Sequence, residues 1–266
     1  MRVRESFYEE QEAYFLGIGF IALLLLFWQS IPLWLTLPKG LALFFTTPSK
    51  IAATFYHLLL TGQIQEHFYA SATAFLLGLS LSIAVGLPFG LVMASSRFID
   101  ALLDPYVTAL NATPRLVWLP LLILWFGIGI GSKIMIVFLG ALFPLLINTY
   151  TGVKNVDRVL INVVRSFGAS AWQLIRVVVV PNSLPYIIAG LRLAIGRAIL
   201  GVVVGEFFGA SKGLGYMIAS AATNYKVDVV FVGVAIFMAL SLVLTLSVKT
   251  IESRLARWRP VPAKRV

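Results

Sequence analysis

No cysteine occurs in the 266 residues, so disulfides, thiolate metal sites and a cysteine nucleophile are excluded. Charge is scarce as well: only 12% of residues are charged, about half the share usual in a soluble globular chain. Acids are the scarcer sign, eleven against twenty-one Lys and Arg, and histidine occurs twice, as His57 and His67. The two histidines are too far apart to share a helix turn and read as surface or interfacial residues rather than metal ligands. No GxxxxGK[ST] loop is present, so the chain has no P-loop cradle for ATP phosphates. HExxH and the GxSxG elbow are absent too, and Gly-Ile-Gly-Ile-Gly at 127–131 lacks the dinucleotide-binding spacing and reads as a turn. No catalytic constellation, metal site or cofactor site emerges.

What is present is apolar. Hydrophobic residues make up 59% of the chain and the mean hydropathy is +0.93. A water-soluble fold of this composition would expose a largely apolar, aggregating surface, whereas lipid removes the difficulty. A membrane-crossing helix takes roughly 20 residues. Runs poor in charge predict six spans: 13–38, 67–96, 102–126, 134–153, 187–208 and 229–248. Met1–Glu12 carries four Glu, and the apolar run after it is too long for a signal peptide, so it is expected to be the first span. Residues 51–65 are shorter and hold His57, Thr61 and Gln63, which predicts a helix on the membrane surface started by Pro48. Pro88 is expected to kink the second span. Pro105, Pro114 and Pro120 predict that the third span is broken, which is tolerated at membrane depth only beside protein or a water-filled cavity. Residues 209–228, rich in small and polar side chains, are expected to form a connection.

The net charge of +10 points to membrane topology before nucleic acid. With both termini cytoplasmic, thirteen Lys and Arg fall on the cytoplasmic side and five on the other, among them Lys133 and Lys212. That assignment places the charged stretch 154–184 in the cytoplasm. Within it, Val163–Arg176 reads as helix, glycine turn and helix, with Trp172, Ile175 and Val179 as an apolar stripe and Pro181 and Pro185 ending the second helix. Taken alone, such a helix is more often a membrane-surface element than a docking element.

Gly168-Ala169-Ser170, followed by Pro181 and Leu184-Pro185, resembles the cytoplasmic docking loop of importer permeases in the ATP-binding-cassette superfamily. Further stretches are similar to the permease family serving nitrate, sulfonate and taurine uptake: 119–129 (LPLLILWFGIG), 143–149 (FPLLINT), 184–187 (LPYI), 190–194 (GLRLA) and 209–216 (GASKGLGY). The resemblance covers about Thr47 to Trp258 and implies an all-α membrane protein of about six transmembrane helices, the type I importer permease fold. It implies a cytoplasmic segment at 1–12, a permease domain at 13–250 with its coupling loop at 154–184, and a basic cytoplasmic tail at 251–266. Asn162, Arg165, Gly168, Ala169, Ser170, Trp172 and Gln173 would form the coupling site, with Gly168 as the turn glycine. Asn162 stands where the family pattern opens with Glu, which removes a charge from the docking surface. The implied partners are two P-loop ATPase subunits that bind the ATP, a periplasmic or lipid-anchored solute-binding protein, a second permease copy and membrane lipid in a bacterial inner membrane. No nucleic acid partner and no enzymatic activity are implied.

Arg115, Trp118 and Glu206 are the pathway candidates, since ionisable groups at membrane depth are costly and usually functional. Arg115, within the proline-broken span, reads equally as pathway-lining or structural. Glu206 reads as a pathway residue or as a stabiliser of the connection after it. Arg192 and Arg197 are expected to snorkel to the cytoplasmic headgroups. Gly201, Gly205 and Gly209 recur every fourth residue and predict close helix packing, within the chain or between subunits. The competing readings are a secondary transporter or channel, which would need an intramembrane acid for its coupling ion, and a membrane-embedded enzyme.

Overall fold

The structure, a computed structural model, describes residues 2–34, 38, 40 and 43–255, with side chains from residue 15 to 254 apart from 35–37, 39, 41, 42 and 251. The basic tail beyond 255 lies outside the described residues. All regular elements among the described residues are helical. They are α1 (Arg2–Trp34), α2 (Pro48–Leu60), α3 (Gln63–Ser95), α4 (Arg97–Ala112), a 3-10 turn (Arg115–Trp118), α5 (Leu119–Phe126), α6 (Ile130–Lys154), α7 (Arg158–Ser166) and α8 (Ala171–Leu174). A π-helical stretch (Ile175–Val179) leads into α9 (Val180–Gly209), followed by α10 (Leu214–Thr223) and α11 (Val227–Leu255). Five helices are long and apolar enough to cross a membrane, and a sixth span arises if α4 and the segment Arg115–Phe126, bent by 94°, are taken together. This agrees with the predicted count, including the broken third span, whose break follows Pro114. Pro88 lies inside α3, an unbroken helix.

The chain divides into two compact units, Met1–Ile64 with Met217–Val234, and Gln65–Tyr216 with Ala235–Val266. In the first, Trp28 donates to the Thr46 carbonyl at 2.9 Å and its ring lies 5.2 Å from that of Phe231. Gln29 exchanges hydrogen bonds with Ser49, and Thr54 donates to Asp228 at 2.7 Å.

The second unit is organised around α6. Among the candidate spans its apolar window is the most buried, at 50%, against 11% for α11. Lipid offers no hydrophobic drive between helices, so close approach through small residues supplies the packing. On one side a Cβ at Gly78 would lie 2.6 Å from Val137, and one at Gly90 would lie 2.6 Å from the Leu146 carbonyl oxygen, which brings α3 against α6. On the other side α9 runs alongside. Gly152 meets Tyr186 and Ser183, Gly190 meets Asn148, Gly140 meets the Arg197 carbonyl, and Gly201 and Gly205 meet Val137 and Ile136. The glycine repeat in α9 therefore serves contact within the chain. Ile136, Val137, Ala141, Leu145, Ala194, Ala198 and Val202 form the core there.

Two sequence expectations are corrected. Pro181 and Pro185 do not end a helix, because α8, the π stretch and α9 form one helical span, Ala171–Gly209. Proline at 181 cannot donate to Val177 and its ring crowds that carbonyl; the π turn over 175–179 accommodates the misfit. The connection 209–228 contains an apolar helix, α10, which its small residues had hidden.

Replacing Gly201 by Leu should lower stability by about 1–3 kcal/mol through overpacking against α6. Gly196→Ala, at a helical glycine with no neighbour within 4 Å, should cause no loss. Thermal unfolding of both purified variants in one detergent checks the pair, and equal midpoints would contradict the packing account.

Candidate functional site: a docking loop, a broken span and a buried ion pair

The loop between α6 and α9 is built by local capping. Asp157 accepts from the Val159 N–H at 2.7 Å and starts α7. Gly168, at φ +77°, closes the helix end by donating to the Arg165 carbonyl at 2.9 Å, a conformation costly for a residue with a Cβ. Ser170 opens α8 with a capping box: its Oγ accepts from Gln173 N–H at 3.3 Å, and Gln173 Oε1 accepts from Ser170 N–H at 2.8 Å. The S-x-x-Q spacing is a readable signal for this start, overlooked when Gln173 was assigned outward only. Ile161 and Val164 of α7 pack with Val156, Leu174, Val178 and Val179 against Leu91 and Val153. Asn162, Arg165, Gly168, Ser170, Trp172 and Gln173 are left exposed and Ala169 is half-buried. The expected apolar stripe is corrected here: Trp172 is 69% exposed, while Leu174 and Val178 join Val179 on the buried side. The π turn over 175–179 takes Val179 off the face of Trp172, and Leu174, before the turn, is buried in the cluster with Ile161 and Val164.

Beneath the loop, Asp100 of α4 accepts from Lys154 Nζ at 2.8 Å and from the Tyr150 hydroxyl at 3.1 Å. These bonds join the first turn of α4 to the end of α6.

At the far end of α9, Glu206 is 1% exposed. Ser71 Oγ donates to its carboxylate at 2.8 Å, the Gly215 N–H donates at 2.8 Å, and Lys133 Nζ lies 3.6 Å from Oε1. Lys133, 4% exposed, also donates to the Lys212 carbonyl at 3.0 Å. Ser71 Oγ accepts from Leu214 N–H at 2.8 Å, and His67 Nδ1 accepts from Gly213 N–H at 3.1 Å. The 212–215 backbone is thus bound at four successive residues. Gly213 has φ +135°, and a Cβ there would run into the Glu206 carboxylate. Of the two roles offered for Glu206, its oxygens are committed to the connection. Lys133 corrects the sequence view, which counted it as a loop charge: it sits in the first turn of α6 with its ammonium inward, where an unpaired charge would be costly. His67, expected at the surface, is half-buried and acts as an acceptor. Outside the cluster, the Glu66 carboxylate, 2.7 Å from Lys212, raises the pKa of that exposed ammonium.

Arg115 and Trp118 occupy the 3-10 turn at the break of the third span. Trp118 is half-buried and packs on the α6–α9 core that holds Ala194, Ala198 and Val202. Arg115 is half-buried. Arg192 does not project freely: it pairs with Glu252 of α11.

Removal of one partner from the buried pair should be severe, on the order of 3 kcal/mol or more for Glu206→Ala, because Lys133 is left buried and uncompensated. Glu206→Leu combined with Lys133→Met should recover much of that loss. Thermal unfolding together with proteolytic nicking between residues 210 and 216 reads both effects; a Glu206→Ala variant as resistant as the unaltered protein would contradict the assignment.

Comparison with known proteins bears on what this arrangement serves. Residues 86–257 match the family described as binding-protein-dependent transport system inner membrane component. The chain is 38% identical to the SsuC permease protein of Bacillus subtilis, named for aliphatic sulfonates transport, over 80% of this chain and 77% of that one. It is 32% identical to the taurine transport system permease protein TauC of Escherichia coli, over 91% and 89% of the two chains. With the riboflavin transport system permease protein RibX of Chloroflexus aurantiacus it shares 34% identity over 90% and 88%. Among solved structures, an inward-facing MetNI methionine ABC transporter superposes with a TM-score of 0.65 at 19% identity, covering 74% of this chain and 96% of that one. An amino acid ABC transporter superposes at 0.57 with 19% identity, covering 80% and 99%. These neighbours share the fold. The capped loop, the broken span and the apolar helices belong to a multi-pass inner-membrane protein without enzymatic activity of its own, and the chain is a member of the binding-protein-dependent importer permease family.

Proposed function

We propose that this permease works as a pair of identical chains, driven by two P-loop ATPase subunits that bind and hydrolyse the ATP, with an external binding protein delivering the solute. The excess of basic residues on the loops of one side supports a cytoplasmic position for both termini. The observation that carries the reading is the loop 157–180. Its apolar underside is spent on α3 and α6, and its outer face offers Phe167 at 86% and Trp172 at 69% exposure beside Asn162 and Arg165. Two large apolar side chains held outward on a capped, charged loop suit a protein cleft better than water. Because the loop continues into α9 as one helix, movement of the docked ATPase would be transmitted directly to the membrane. Asn162 can hydrogen-bond to the ATPase but contributes no charge.

The solute we propose is a small anion of the sulfonate type. Arg115, at the break of a span, supplies the positive charge, and the relatives named for taurine and aliphatic sulfonates agree with it. A secondary-transporter reading finds no support in Glu206, whose carboxylate is bound by Ser71, Gly215 and Lys133.

Purification of the tagged permease from cells expressing its operon should bring down a P-loop ATPase. Trp172→Asp, at an exposed site, and Gly168→Val, at the positive-φ turn, should each abolish that association while Arg115→Gln keeps it. Full association of both loop variants would overturn the docking assignment.

A further inference from the structure

Arg197, expected to snorkel to a headgroup, lies well inside α9. It lies seventeen residues after Val180 and twelve before Gly209, the two ends of α9. At about 1.5 Å per residue it is roughly 18 Å from the nearer helix end, more than half the thickness of a hydrocarbon layer of about 30 Å. A charged group at that depth faces protein or water rather than acyl chains. Its side chain is exposed, like those of Leu193 and Leu200 and the face at Gly196, while its carbonyl meets Gly140 of α6.

Three further observations converge on this face. Arg115 lies one 3-10 turn before Trp118, which packs on the cluster that includes Ala194 and Ala198 on either side of Arg197. Neither arginine has an acidic partner among the described residues, whereas Arg192, Lys133 and Lys154 all do. Gly196, next to Arg197, is the one described glycine within α3, α6 and α9 with nothing within 4 Å of the space its Cβ would fill. A helix-interior glycine is unfavourable relative to alanine, and no contact among the described residues accounts for it.

We infer that Arg115 and Arg197 form a two-point binding site for a small oxyanion at membrane depth, with Gly196 leaving room for the ligand to approach the α9 backbone. Two guanidinium groups with no acidic partner among the described residues complement the oxygens of a sulfonate or carboxylate head. The depth of Arg197 separates this site from a lipid headgroup, which lies at the interface. The inference rests on the reading of the chain as a permease and adds Arg197 and a location to it.

The natural absence of cysteine provides the test. Leu200→Cys, 52% exposed and on the same face, places a lone thiol in the permease beside Arg197. The permease with its ATPase is reconstituted in phosphatidylcholine vesicles and treated with an anionic sulfonate-bearing methanethiosulfonate or a cationic ammonium-bearing one. Treatment is carried out without nucleotide and with ATP, and each rate is normalised to that reagent's rate with a free thiol. The expected result is about a tenfold normalised preference for the anionic reagent, as two nearby cations would produce, lost in Arg115→Gln and Arg197→Gln backgrounds. Equal normalised rates, or a cationic preference, would overturn the oxyanion site while leaving a water-filled pathway standing. No reaction with either reagent in either state would overturn the site and the pathway reading of this face together.

Discussion

The structure depends on how closely α6 and α9 approach. Their contact runs from Gly152 against Tyr186 at one end to Gly205 against Ile136 at the other, with Gly140, Gly190 and Gly201 between. In lipid such an approach is the main source of helix association, because apolar side chains gain nothing by leaving one hydrocarbon environment for another. Everything assigned to function hangs on this pair. The docking loop leaves α6 at one end and enters α9 after a π turn, and the Lys133–Glu206 ion pair joins α6 and α9 at the other. Arg115 and Trp118 are positioned by packing against the same core.

A buried ion pair is seldom a gain over well-packed apolar residues, so its presence calls for a reason other than stability. The pair holds 212–215, a stretch whose backbone would otherwise need water at the edge of a membrane. Its partners come from α3, α6 and α9, so the connection is tied to all three helices. The Asp100–Lys154–Tyr150 cluster does similar work at the end of α6 beside the docking loop.

Much of this was legible in the sequence. Apolar runs gave the spans, the prolines from 105 to 120 gave the break, and the glycine turn with its flanking residues gave the loop. The failures have specific causes. A π turn has no sequence period, so neither the separation of Val179 from the Trp172 face nor the continuation of the helix through Pro181 is legible in the sequence. Lys133 and Glu206 are 73 positions apart, and nothing local in either announces the other. Arg197 was judged by its nearness to the start of the predicted fifth span, when α9 in fact begins seven residues earlier and carries it to mid-helix.

The central claim is that this chain moves solute only when force reaches α9 through the docked loop. Uptake by vesicles containing the permease, its ATPase and its binding protein, loaded with that binding protein's ligand, measures this directly. The account predicts accumulation that requires both ATP and the ATPase. Accumulation at the same rate from vesicles holding the permease alone would contradict it.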